Sequence, residues 1–258
     1  MEQYLQLLVI MAFAIGLSTV VGAVAGLLLR KLPHRHHDMI LGTAAGIMLA
    51  AAVLGLILPA AEMELPGALW MTVTGAGIGA LLISVLDRIT PHLHHIAGLD
   101  HPQEEQHAAS GSMSKTLLFI SAIALHKIPE GLAAGVSFGT GDLSDILTVS
   151  GSIALQNIPE AMVIIVPLLA IGVSIRRTLL ISGGIGLISM VSTVAGFGLV
   201  SVMQNMLPLI LSLAGGAMLY VISDEMIPET HAHGYEKQAT FSLIAGFMLI
   251  VVLQQLLP

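Results

Sequence analysis

Apolar residues run through this chain in blocks of about 20 or more, the length of helix that crosses a bilayer core. Eight blocks read as transmembrane helices, at roughly 4–29, 38–61, 67–88, 115–138, 146–171, 177–203, 208–228 and 238–257. None alternates apolar and polar residues as a barrel strand would, so the pattern predicts an all-α membrane bundle. The first block is longer than a signal-peptide core of about 7–15 residues and is expected to be retained as a helix. Polar breaks between blocks are short, except at 89–114. That segment holds His92, His94, His95, His101 and His107 with Asp100, Glu104 and Glu105, the composition of a mobile His-rich loop.

Composition agrees with the pattern. The 258 residues are 55% hydrophobic and 10% charged, against about 25% charged in soluble domains, and the mean hydropathy is +0.92. One transmembrane domain, 1–258, is expected. There is no cysteine, which excludes disulfides and thiolate metal sites and leaves His, carboxylate, amide and carbonyl donors. The net charge of −7 and the lack of a basic stripe exclude nucleic acid as a partner. The basic residues give the orientation. Arg30, Lys31, Arg35, Arg88, Lys115, Arg176, Arg177 and Lys237 all fall on one side of an eight-span chain. Both termini are then outside the cell membrane and the His-rich loop is cytoplasmic. The ninth basic residue, Lys127, falls inside a span.

Glycine is frequent in the spans, at Gly42, Gly46, Gly75, Gly77, Gly79, Gly183, Gly184, Gly186, Gly215 and Gly216. Small residues let helices approach closely in lipid. The glycine-rich faces of helices 2 and 3 and of helices 6 and 7 are expected to be the surfaces on which one helix group moves against another.

The candidate chemistry lies in a near-repeat. Ala124-Leu-His-Lys-Ile-Pro-Glu-Gly131 in helix 4 returns as Ala154-Leu-Gln-Asn-Ile-Pro-Glu-Ala161 in helix 5. His126 and Glu130 share a helix face, as do Gln156 and Glu160, because residues i and i+4 are neighbours. Pro129 and Pro159 each remove a helical hydrogen bond, which is expected to kink the helix and free the carbonyls of Leu125 and Leu155. Taken singly, a helical His is more often a packing residue and a Pro-Glu pair a helix start. Repeated at similar depth in adjacent spans, they supply one nitrogen and three oxygen donors with two negative charges. A carboxylate at membrane depth is a functional-site hypothesis by default. His with carboxylates suits Zn2+, Fe2+, Mn2+ or Cd2+ better than Mg2+ or Ca2+.

The paired motif, His-Lys-Ile-Pro-Glu-Gly and Gln-Asn-Ile-Pro-Glu, resembles that of the ZIP (Zrt/Irt-like) divalent-metal transporters, bacterial branch. Ala44-Ala-Gly-Ile-Met-Leu-Ala-Ala, Leu86-Asp-Arg-Ile-Thr-Pro-His-Leu-His and Ser223-Asp-Glu-Met-Ile-Pro-Glu-Thr-His extend the resemblance along the chain. It implies eight helices in a 3+2+3 inverted repeat, no enzymatic activity, and import of Zn2+ and related ions by alternating access. The metal is then a transported substrate, with no cofactor. Carried over by position, the transport site is His126, Glu130, Gln156 and Glu160. Glu62 matches an entrance acid, and Asp87, Asp224 and Glu225 with His92 and His94 match the inner exit.

The chain departs from the pattern at the second metal site of many relatives. Those positions read Lys127, Asn157 and Ser189. An ammonium there excludes a second cation; the bland alternative is that Lys127 faces away and snorkels. His34, His36 and His37 and the loop histidines are either cytoplasmic metal ligands or a solvated flexible loop. Competing functions are an intramembrane metalloenzyme, disfavoured by the lack of a His-Glu-x-x-His motif, and a metal sensor without flux. The partners expected are divalent metal ions and the lipid bilayer, with a homodimer left open.

Overall fold

The computed structural model describes residues 2–89, 126–170 and 172–256. All regular structure among them is helical. We number the helices α1 (Glu2–Leu29), α2 (His34–Glu62), α3 (Ala68–Ile89), α4 (126–137), α5 (Leu143–Ala170), α6 (Ile175–Val202), α7 (Gln204–Thr230) and α8 (Glu236–Leu256). Six of them, α1, α2, α3, α6, α7 and α8, are long and apolar enough to cross a membrane. The 28 residues of α5 reach about 42 Å at 1.5 Å per residue. The first part of the expected fourth span, 115–125, and the His-rich loop lie outside the described residues, apart from the loop's first residue, Ile89, which ends α3. The protein is an all-α, multi-pass membrane bundle.

Helices that are apolar all round must sort themselves by small-residue contacts, since lipid offers no hydrophobic drive. The glycines do this. A Cβ on Gly42 or Gly46 of α2 would strike the backbone of α8 at Ala239 or Leu243. One on Gly75 or Gly79 of α3 would strike α7 at Leu209 or Leu213. Gly22 and Gly26 seat α1 on α5 at Ile158 and Met162, and Gly16 meets Gly186 of α6. Gly131 and Gly135 seat α4 on α6 at Ser189 and Thr193.

Two groups result: α1, α4, α5 and α6, and α2, α3, α7 and α8. They meet along α2 and α5, where Met48 and Leu56 of α2 join Val149 and Ile153 of α5 in one buried apolar cluster. This corrects the expectation for the glycines. Gly42, Gly46, Gly75 and Gly79 hold the second group together internally, Gly186 of α6 meets α1 of the first, Gly215 and Gly216 of α7 face α2 and α3 of their own group, and Gly77, Gly183 and Gly184 face nothing within 4 Å.

The widened helix turns among the described residues lie outside the paired motif. α5 continues through Pro159 as one helix. The widened, π-helical turns are in α2 at Val53–Ile57 and in α7 at Ile222–Met226, each just ahead of an apolar residue and a proline, Leu58-Pro59 and Ile227-Pro228. A proline ring clashes with the carbonyl four residues back, and a wider turn relieves that clash. The two turns occupy matching places in α2 and α7. At the polar end of α2, Asp38 is buried and accepts a hydrogen bond from His233 Nδ1 at 3.0 Å, and His34 stacks on the His233 ring at 4.7 Å.

Candidate metal site between helices 4 and 5

Lys127 is the centre of the polar interior. It is 1% exposed, so it does not snorkel. Its Nζ donates to Glu130 Oε2 at 2.7 Å, to Asn157 Oδ1 at 2.9 Å, and to Glu160 Oε2. The sequence builds this locally. Lys127 and Glu130 are three apart on α4, Asn157 and Glu160 three apart on α5, and each pair shares a face. Asn157 has a second task, since its Nδ2 donates to the Ile15 carbonyl of α1 at 3.2 Å. The close seats of α1 on α5 at Gly22 and of α4 on α6 at Gly131 fix the helices that carry these groups. Burying an ammonium and two carboxylates is tolerable only because they neutralise and hydrogen-bond one another.

The remaining donors are placed differently. Glu130 Oε1 is buried with no hydrogen-bond partner. Gln156 is fully buried, and both ends of its amide lack a partner. His126 turns to α7, with Nε2 2.9 Å from Glu225 Oε1, an ion-pair distance without hydrogen-bond alignment. That contact joins the two helix groups, and Glu225 sits in the π-helical turn of α7. As the side chains stand, no three His, Asp or Glu among the described residues are gathered to hold a metal ion. Lys127 engages one oxygen of each carboxylate, and Glu225 engages the histidine.

Ser189 is not a partner of Lys127; its hydroxyl returns to the Ile185 carbonyl of its own helix at 3.3 Å. Glu62 is exposed at the end of α2, and Asp224 is exposed beside Glu225. Asp87 lies on α3, but its side chain, like His92 and His94, is outside the described residues. His36 is exposed, and His34 is used in the stack on His233.

Comparison with known proteins covers the stretch that holds Lys127 and its partners. A family model described as "ZIP Zinc transporter" matches residues 87–254. The chain belongs to the ZIP family. The chain is 39% identical over 248 residues to the zinc transporter ZIPB of Bordetella bronchiseptica, covering 92% of this chain and 76% of that protein. It is 34% identical over 244 residues to the zinc transporter GufA of Myxococcus xanthus, covering 92% and 94%. It is 28% identical over 260 residues to the zinc transporter ZupT of Streptococcus mutans, covering 98% of both chains.

Two features of this ZIP-family site were not anticipated from the motif. The His126–Glu225 contact joins segments far apart in sequence, with no pattern linking them. The tie from Asn157 to α1 has no local signal either. The convergence of Lys127 with Glu130, Asn157 and Glu160 did have one, in the matched spacing of the two motifs.

Proposed function

We propose that this protein imports divalent transition-metal ions, zinc first among them, into the cytoplasm by alternating access. The ion is held between α4 and α5. The observation that carries this reading is the meeting of Glu130 and Glu160, from two helices, on one buried ammonium. Lys127 takes the Oε2 atoms. The free Oε1 of Glu130 and the unpartnered amide of Gln156 are the donors left for an ion, joined by Glu160 and by His126 once it turns from Glu225.

Charge favours a single ion. Glu130 and Glu160 against the Lys127 ammonium leave one net negative charge, enough to attract one divalent cation and too little for two. Lys127 stands where a second ion would otherwise bind, so it acts as a tethered counterion. It also lowers the cost of the carrier's return without cargo. Glu62 serves as entrance acid, and Asp224, Glu225 and Asp87, with His92 and His94, serve the exit. We place the chain in the cell membrane, and the distribution of Lys and Arg favours both termini outside.

Uptake into proteoliposomes with a panel of ions tests the function. Saturable Zn2+ uptake is expected, and Glu130→Ala or Glu160→Ala reduces it to background. Metal binding without flux would establish the sensor instead. Near-normal uptake by a folded Glu130→Ala protein would remove the site from α4 and α5. The transporter family gives the intramembrane enzyme no support.

A further inference from the structure

Buried hydroxyls in this bundle generally return their proton to their own helix. Thr72, Ser182, Ser189, Thr193 and Ser212 each donate to the carbonyl four residues back. On α5 this habit fails. Thr148 and Ser152, 3% and 2% exposed, have no hydrogen-bond partner, and neither does the fully buried Gln156. A buried polar group left without any hydrogen-bond partner is costly, and three of them on one helix face point to a partner the protein itself does not supply.

The spacing is four residues at each step. Thr148, Ser152, Gln156 and Glu160 therefore line one face of α5, over about 18 Å at 1.5 Å per residue. At the outer end of the stripe, Asp145 is half-buried within electrostatic reach of Asp142 and of Glu62 on α2. Opposite Thr148 and Val149, α2 presents Gly55, a residue without a side chain, in its π-helical turn. Val149, Ile153 and Leu56 pack beside the stripe and close it. Ser150 also lacks a partner, but it falls on the opposite side of α5 and so serves as an internal control.

We propose that Thr148 and Ser152 are the positioning groups of an outer approach track, leading a partly hydrated divalent cation from Asp145 and Glu62 to Gln156 and the transport carboxylates. Their oxygens, and that of the Gln156 amide, accept hydrogen bonds from the water ligands the ion still carries. Neutral acceptors guide a dication without holding it. The track opens when α2 separates from α5. This inference rests on the import reading, so wild-type Zn2+ uptake is established first; its absence would defeat that reading rather than this one.

The chain has no cysteine, so Thr148→Cys, Ser152→Cys and Ser150→Cys are clean probes. During turnover, a small membrane-impermeant thiol reagent added outside is expected to modify Cys at 148 and 152, more slowly in the presence of Cd2+, and to spare 150. In parallel, Thr148→Val and Ser152→Ala should each lower Vmax/KM about fivefold, the scale of one lost hydrogen bond. Cd2+ affinity in detergent should not change. Equal reactivity at 150 and 152, no reactivity at 148 and 152, or unchanged Vmax/KM in both hydroxyl-deleted variants would overturn the track. A fall in melting temperature with Vmax/KM intact would show that the hydroxyls are structural, and would overturn it as well.

Discussion

Lys127 governs the charge of the site, and its three partners let its role be tested by a single change. Removing the ammonium leaves Glu130 and Glu160 facing each other in a buried place. A unit charge a few ångströms away is worth several kcal/mol at an effective dielectric constant of about 20. Lys127→Met should therefore bind Zn2+ at least about tenfold more tightly in a calorimetric titration, and turn over more slowly because release is harder. Without metal the variant should melt lower, since breaking a buried ion pair costs about 3–5 kcal/mol, and metal should restore the loss. Unchanged or weaker affinity would mean that the ammonium is not a counterion to the cargo. At this scale the repeated motif was legible because charge and spacing speak locally. The partner of His126 was not, because Glu225 comes to it only through the packing of α7. The Thr148–Ser152–Gln156–Glu160 stripe was present in the sequence, but a hydroxyl on a helix normally bonds its own backbone. Only the structure shows that these two do not.

The helices themselves were readable from the apolar blocks, and α1, α2, α3, α6, α7 and α8 carry the length and hydropathy expected of spans. Which helix touches which was not readable. A helix that is apolar all round has no moment to point with, and a glycine does not announce its neighbour. Gly46 illustrates the consequence. Its missing Cβ admits the α8 backbone at Leu243, so Gly46→Val should part α2 from α8. The expected loss is about 1–3 kcal/mol, typical of overpacking, read as a lower melting temperature in detergent. Gly183→Ala, with nothing within 4 Å of the added carbon, should stay within about 0.5 kcal/mol of the parent. Equal losses at both positions would contradict the assignment of glycines to contacts within a group. The effect of each proline was not readable for a related reason. Pro159 was expected to kink its helix; α5 runs through it without interruption, while Pro59 and Pro228 sit behind π-helical turns. Whether a proline kinks, widens or merely strains a helix depends on what the neighbouring helices allow.

At the scale of the molecule, the two helix groups meet along α2 and α5, and access can alternate only if that seam moves. The seam can be locked. A Cβ built on Gly55 would stand 3.7 Å from Val149 Cβ, close to the mean Cβ separation of about 3.8 Å in disulfides. Gly55→Cys with Val149→Cys should oxidise readily, stop uptake, and recover it on reduction. A cross-linked protein that still transports at the parent rate would show that the groups do not part here. The central claim concerns the seat of the cargo: one divalent ion, between α4 and α5, with Lys127 in place of a second. Anomalous scattering from crystals soaked in Cd2+ tests it most directly. A single strong peak in the membrane interior is expected, in contact with both Glu130 and Glu160, with the Lys127 ammonium still beside the carboxylates. Two peaks bridged by those carboxylates, or a single peak away from them, would contradict the account.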